Sequence, residues 1–294
     1  MFSLMACYTA CRFVHFVAIV QGFGITLFCE CLAPAGLRPY LRMRLGTIGR
    51  VMAGLSLLST VAILPLQAGL MGGGWSETRR PDIWLAVLHT AFGSLWRWHM
   101  LLALLVLILV ARLPLSPLRH RLLLLVYAGL LVSLALVGHS AMYEGLRGAL
   151  QRINQMVHLL SAAWWLGCLL PLVICLPLLR QTSRPDALRA LIRFSRSAHF
   201  AVALVVLSGM VNTALVLGHW PRDLSSPYQR LLMVKIGVVI AMVGLAVINR
   251  YGVVPWLGRY PARAVRTLTI LTLAEVVLGG AVLLLVSVFA TYEP

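Results

Sequence analysis

The hydrophobic positions of this chain form long uninterrupted runs, not the short alternating pattern of a soluble fold. Apolar stretches of roughly 20 residues, the length of a membrane-spanning helix, recur along the whole sequence. They predict spans at about residues 7–32, 47–70, 94–112, 121–139, 153–179, 197–218, 229–249 and 267–290. The pattern therefore predicts an all-α, polytopic membrane protein, a bundle of eight transmembrane helices.

One apolar stretch is too short and too interrupted to span a membrane. Residues 83–93 follow three consecutive glycines and predict a short interfacial or re-entrant helix between spans two and three. Trp96 and Trp98 come next and predict an aromatic belt at the interface. The first apolar run lacks the features of a cleaved signal peptide and is expected to be retained. No soluble domain is predicted, so residues 1–294 are expected to form a single transmembrane domain.

The charged residues add a direction to this topology. The net charge of +17 would suggest nucleic-acid binding if the positions of the charged residues were ignored. The loops after spans one, three, five and seven hold sixteen arginines against one acidic residue, Asp186, whereas the opposite loops hold six arginines and five acidic residues. Since positive loops stay in the cytoplasm, this bias predicts both termini on the periplasmic side. It predicts contact with a lipid bilayer and no nucleic-acid binding.

The histidines share the predicted periplasmic side. Six of the eight lie at or near it, namely His15, His89, His99, His139, His158 and His219. His139 closes span four and His158 lies near the start of span five, so these imidazoles are predicted to face each other on antiparallel neighbours. An ionisable group inside a membrane segment is a functional hypothesis by default. A lone interfacial histidine is more often a snorkelling or hydrogen-bonded residue. The hypothesis of a functional site therefore depends on the location of six histidines on one side of the membrane.

Soft ligands accompany these histidines. Cys7, Cys11 and His15 are four residues apart and therefore share one helix face, and Met142 lies three residues after His139. Thiol, thioether and imidazole together suit Cu(I), whereas imidazoles alone suit Cu(II). The sequence thus predicts a metal site on the periplasmic side, with ligand types that would suit copper in either oxidation state. The candidate metal ligands are His139, His158, His15, Met142, His99 and Cys11.

Other intramembrane charges have two interpretations. Lys235 and Glu275 could hold the bundle together by pairing or could take part in transport, and Glu30 lies between two cysteines near the inner end of span one. The chain has no Walker A loop, no Ser-His-acid arrangement and no HExxH motif. We therefore expect a protein that is not an enzyme and that takes energy for any transport from a gradient or a partner.

Several blocks of the sequence resemble the copper resistance D family of bacterial inner-membrane proteins. They are RFVHF (12–16), TAFGSLW (90–96), GHS (138–140), MVHLLSAAWWLGCLLPL (156–172), RFSRSAHFAVALVVLSGMVNT (193–213) and YQRLLMVK (228–235). The resemblance covers most of residues 12–255. The chain departs from the family pattern where Asn154 and Gln155 replace an acidic residue and where Cys168 replaces a glycine.

The resemblance implies copper transport and homeostasis at the inner membrane. Copper would be taken at the periplasmic face and passed towards the cytoplasm, with a separate periplasmic copper-binding partner of the CopC kind. Two other functions stay open. Histidines on facing helices also hold haem, so the chain could be a b-type membrane cytochrome, an oxidoreductase; or it could be a copper-binding sensor or scaffold without flux. The oligomeric state is also open, with a homo-oligomer among the alternatives.

Overall fold

The structure, a computed structural model, describes residues 3–137, 145–289 and 291–292, and these residues form helices and short connections without a strand. Eight of its helices are long and apolar enough to cross a membrane, which confirms the predicted number of spans, although the fourth of these helices ends at Leu134 and not near residue 139. The α-helices are α1 Leu4–Leu27, α2 Arg38–Gly72, α3 Pro81–Leu88, α4 Ala91–Arg112, α5 Pro117–Leu134, α6 Gly145–Cys175, α7 Arg184–Leu217, α8 Pro227–Val247 and α9 Pro261–Phe289. A π-helical turn, Phe28–Leu32, extends α1.

Several helices begin well before their apolar runs. The helix α2 begins at Arg38, not near residue 47, and α7 begins at Arg184, not near residue 197. Both begin with a proline in the first turn, where the missing N–H needs no partner. Ser116 and Ser226 start α5 and α8 by accepting a backbone N–H from the third residue of the helix. Hydropathy therefore locates the spans, whereas capping residues and first-turn prolines set where the helices begin.

The short helix between spans two and three differs from its prediction. The helix α3 ends at Leu88, so the predicted end at residue 93 is wrong. Thr90 is the cause, because its hydroxyl accepts the backbone N–H of Gly93 at 3.2 Å and begins α4. Residues 91–93 are thus the first turn of a spanning helix, and α3 is an eight-residue connector that packs on α2 and α4.

The spanning helices pack around α1 and α6. The helix α1 contacts α2, α5, α6 and α9, and α4 packs on α2 and α5. We call α1, α2, α4 and α5 the N-terminal four-helix unit. On the other side of α1, α6 contacts α7 and α9, and α8 packs on α9. The helices α7 and α8 have at most marginal contact with each other, and α8 is the most exposed span.

The contact between α1 and α6 depends on two glycines. A Cβ atom at Gly24 would lie 2.0 Å from the carbonyl carbon of Gly167. Small residues of this kind allow helix backbones to approach closely inside membranes. Because the obstructing atoms are backbone, a larger side chain can be accommodated only if the helices move apart.

We expect Gly24→Ala to lower the free energy of unfolding by about 1–3 kcal/mol, the usual effect of an overpacked contact. Thermal unfolding of the detergent-solubilised protein would measure it. Gly237→Ala on α8 is the matched control, since a Cβ there meets nothing within 4 Å and alanine favours a helix. Equal melting temperatures for the two variants would contradict the packing.

Candidate metal centre

Two histidines meet inside the N-terminal four-helix unit. His15 of α1 and His99 of α4 face each other with their Nε2 atoms 3.0 Å apart. Both side chains are almost completely enclosed, with 1% of each residue exposed. Of the predicted ligands, these two are therefore placed in direct contact by the fold, although 84 residues separate them in the sequence.

Serine hydroxyls orient both rings. Nδ1 of His15 lies 3.0 Å from Ser59 Oγ, and Nδ1 of His99 lies 2.7 Å from Ser133 Oγ. Each hydroxyl donates its own proton to a carbonyl of its helix: Ser59 to Leu55 and Ser133 to Leu130. With those protons directed to the carbonyls, the hydroxyls accept from the rings, and we assign the Nδ1–H tautomer to both histidines on this basis.

That tautomer has a direct chemical consequence. Both Nε2 atoms carry a lone pair, and the two lone pairs point at each other across 3.0 Å. Such an arrangement is stable when a cation lies between them, either a proton shared by the rings or a metal ion. Metal-bound histidines commonly donate their second nitrogen to an oriented acceptor in the same way. The pair is thus built to hold one positive charge.

The spacing of the pair determines which metal geometry it fits. With metal–nitrogen bonds of roughly 2.0–2.1 Å, ligand atoms 3.0 Å apart subtend an angle of about 90–97° at the metal. This angle suits adjacent ligands of one ion. A haem between the same rings would need its ligand atoms about 4 Å apart, twice a bond of roughly 2 Å. The pair therefore fits a bare ion better than a haem.

Trp96 forms one wall of the site. Its ring stacks on His99 at 4.7 Å with an interplanar angle of 12°, and its indole N–H donates to the carbonyl of Thr60 at 3.1 Å. Trp96 is 3% exposed, whereas Trp98 is 68% exposed. The prediction that both tryptophans form an interfacial belt is therefore wrong for Trp96.

Cys11 lies beside the pair without joining it. Its Sγ is 3.5 Å from the carbonyl of Ser59, the residue that orients His15. The predicted shared face of Cys11 and His15 is confirmed to this extent. The described residues contain no group of three or more His, Cys, Asp or Glu side chains that could share a metal ion. Within them, the pair provides two ligands and Cys11 a nearby thiol.

His158 lies in a second polar cluster, on α6 and α7. Its Nδ1 is 2.9 Å from Ser208 Oγ, and this hydroxyl donates to the carbonyl of Leu204. His158 is therefore also held as the Nδ1–H tautomer, which leaves Nε2 for a ligand. Asn154 donates to Asn212 at 2.8 Å beside it. His139 and Met142 lie outside the described residues, so the predicted pairing of His139 with His158 stays a prediction.

The remaining intramembrane charges have separate partners. Asn249 donates to Glu275 at 2.8 Å, and the ammonium of Lys235 lies 5.5 Å from the centre of the Phe289 ring. Glu30 forms a buried ion pair with Arg42. The contact between Asn249 and Glu275 agrees with the interpretation that a pairing between helices holds the bundle together.

The serine partners could have been found in the sequence. Ser56, Ser59 and Thr60 lie on one face of α2, at a spacing that repeats with the helix turn, and all three are buried. A face of hydroxyls inside an apolar span indicates that polar groups of another helix lie opposite. His15 is that group.

Comparison with known proteins identifies one family over most of the chain. Residues 1–149 match the family described as copper resistance protein D-like, N-terminal domain, and residues 188–289 match copper resistance protein D. The chain is 38% identical over 285 residues to the inner membrane protein YebZ of Escherichia coli (strain K12), with 97% of each protein covered. It is 30% identical to copper resistance protein D of Pseudomonas syringae pv. tomato, with 94% of this chain and 92% of that protein covered.

A third relative matches over a shorter stretch. Copper transport protein CutJ of Bacillus subtilis (strain 168) is 30% identical over 202 residues, which are 65% of this chain and 37% of that protein. No solved structure matches the chain. The two family matches and the two nearly full-length relatives show that this multi-pass membrane protein belongs to the copper resistance protein D family.

Proposed function

We propose that this protein transports copper across the bacterial inner membrane, from the periplasm towards the cytoplasm. The observation that carries the proposal is the facing Nε2 pair of His15 and His99, which is oriented to hold one cation inside the bundle. The names of the relatives, copper resistance protein D and copper transport protein CutJ, support copper as that cation.

The ligand set suits a transport site better than a storage site. A transported ion must bind well enough to enter and weakly enough to leave. Two imidazoles with a thiol nearby, Cys11, form an incomplete set for copper and favour release. The Nε2 atom of His158 has no hydrogen-bond partner among the described residues, so His158 would form a second copper-binding position in the bundle, with His139 and Met142 as its predicted companions. Imidazoles with a thiol suit Cu(I), whereas imidazoles alone suit Cu(II).

The topology that we propose supports uptake from the periplasmic side. The arginine bias favours cytoplasmic loops after spans one, three, five and seven, and so favours termini in the periplasm. His15, in the first half of α1, would then lie in the periplasmic half of the membrane. A periplasmic copper-binding protein of the CopC kind would deliver the metal there. Residues 1–294 would act as a single transmembrane domain, alone or as a homo-oligomer.

Purified protein reconstituted into proteoliposomes tests this function directly. We expect bound copper by metal analysis, no Soret band in the absorption spectrum, and copper entry into the vesicles above the protein-free background. Copper binding without entry would contradict transport and favour a sensor or scaffold. A Soret band would favour the b-type cytochrome. Both outcomes can be read from one preparation.

A further inference from the structure

A carboxyl group lies in the middle of α9, the last spanning helix. Glu275 is fourteen residues from either end of α9, which is roughly 21 Å at about 1.5 Å per residue, and only 3% of the residue is exposed. An ionisable side chain at this depth in a membrane is unfavourable and usually marks a functional position. Neither copper-binding position proposed above includes it.

The partners of this carboxyl group are neutral. The amide of Asn249 donates to Oε1 of Glu275 at 2.8 Å, and Trp165, on α6, makes a further side-chain hydrogen bond to the carboxyl group. Asn249 lies in a π-helical turn, Ile248–Val253, that follows α8, and such turns occur frequently at functional sites. Neutral donors from two other parts of the bundle therefore hold the carboxyl group.

No cation of the described residues forms an ion pair with Glu275. Arg266, the nearest arginine along α9, is nine residues away, roughly 13 Å. The charged and imidazole side chains inside the spans packed against α9 have other partners. They are Lys235 at the Phe289 ring, Arg250 at Ser195, His158 at Ser208, His15 at His99, Arg12 at Tyr8 and Glu30 at Arg42. A buried carboxylate without a counter-charge takes up a proton and becomes neutral.

The amide of Asn249 has an acceptor atom that needs a donor. Its Oδ1 is buried and has no hydrogen-bond partner among the described residues, which is rare for a buried polar atom. A protonated carboxyl group has an O–H donor as well as an acceptor oxygen, whereas a carboxylate can only accept. A proton on Glu275 would therefore satisfy both side chains, because Asn249 Nδ2 donates to the carboxyl group and the carboxyl O–H can donate to Asn249 Oδ1.

We propose that Glu275 is a proton-binding site inside the bundle, and that its carboxyl group takes up and releases one proton during the transport cycle. The oxygen atoms of Glu275 and Asn249 are too few for Ca²⁺ or Mg²⁺, which take about six or more oxygen ligands. Release of the proton leaves a carboxylate, which is unfavourable inside the membrane unless water reaches it. Proton binding does not depend on copper, whereas proton exchange during the cycle rests on the proposed function.

Infrared spectroscopy of the purified protein in lipid tests proton binding without copper. We expect the C=O stretching band of a carboxylic acid at neutral pH, and we expect Glu275→Gln to remove it. Asn249→Ala should shift the band to higher frequency, because the carboxyl group loses hydrogen bonds. Glu77→Gln is the matched control, since Glu77 lies 3.3 Å from the Arg80 guanidinium, and it should leave the band unchanged.

Equal carboxylic-acid bands in the unsubstituted protein and in Glu275→Gln would overturn the proposal. Glutamine has the shape of the neutral acid and can both donate to and accept from Asn249, so this variant should melt at the temperature of the unsubstituted protein. If it failed to fold, Asn249→Ala would still decide, since an unshifted band in that variant would contradict the site.

Copper entry into proteoliposomes with an imposed pH gradient tests proton exchange during transport. The initial rate for the unsubstituted protein should change several-fold when the gradient is reversed. Glu275→Gln has a side chain that stays neutral, so it should bind copper at the histidine pair and lose this dependence on the gradient. An equal response in the variant, or no response in the unsubstituted protein, would overturn the exchange. Absence of copper entry in the unsubstituted protein would overturn the proposed function and the exchange with it, while the infrared band would still decide whether Glu275 binds a proton.

Discussion

Replacing His15 or His99 by alanine should reduce copper entry into proteoliposomes to the level of protein-free vesicles. Each substitution removes one of the two Nε2 atoms that face each other at 3.0 Å. A cation between them would then keep one of its two imidazole ligands. The initial rate of copper uptake, measured by metal analysis of filtered vesicles, reports the loss. Because the two side chains act as a unit, the double variant should be no worse than either single one.

Controls for this experiment separate binding from folding. His219→Ala removes an exposed histidine whose Nδ1 contacts the carbonyl of Trp220, and should leave uptake unchanged. His99→Gln keeps a polar side chain beside His15 and should fold while losing transport. Ser133→Ala leaves the imidazole in place without its orienting partner, and should weaken copper binding about 10–100-fold. Normal uptake by His15→Ala would contradict the proposed site.

Replacing Glu30 by alanine should lower the free energy of unfolding by about 3–5 kcal/mol, the effect of leaving one charge of a buried pair without its partner. Glu30 is 8% exposed and Arg42 is 9% exposed, so solvent cannot take the place of the lost carboxylate. Arg121, 4.0 Å from the other oxygen of Glu30, would also lose its partner. Chemical unfolding in detergent, followed by circular dichroism, measures the change.

An exposed ion pair provides the comparison. Arg80 and Asp82 are 2.5 Å apart, with side chains 54% and 60% exposed, so Asp82→Ala should change stability much less than Glu30→Ala does. Replacing both Glu30 and Arg42 by leucine should be less harmful than Glu30→Ala, because no unpaired charge of the pair remains. A change below about 1 kcal/mol for Glu30→Ala would show that this pair does not hold α1 against α2.

The spans could be predicted because apolar length alone determines them. All eight runs became helices that could cross a membrane. The ends of these helices depend on local chemistry that hydropathy does not contain, such as the Thr90 hydroxyl that separates α3 from α4. The sidedness of the chain rests on the arginine bias alone and stays a prediction.

The site could be predicted only in part, because spacing along one helix does not reveal which helices meet. The four-residue spacing placed Cys11 and His15 on one face of α1. It could not show that His99, on α4, is the partner of His15. That choice is made by the packing of α1 against α2 and α5, which puts α6 and His158 on another side of α1. Residues two apart point to different sides of a helix, which is why Trp96 is buried while Trp98 is exposed.

The shared charge of the histidine pair has a consequence for how ions could move through it. With both Nδ1 protons directed to serines, the pair holds one positive charge whether a proton or a monovalent ion lies between the rings. Exchange of a proton for Cu(I) would leave the electrostatic energy of the membrane interior almost unchanged. Exchange for Cu(II) would add a full charge in a medium of low dielectric constant, at an expense of several kcal/mol. Charge alone therefore favours the exchange of one H⁺ for one Cu(I), whereas the angle of about 90–97° between the two nitrogens favours the tetragonal coordination of Cu(II).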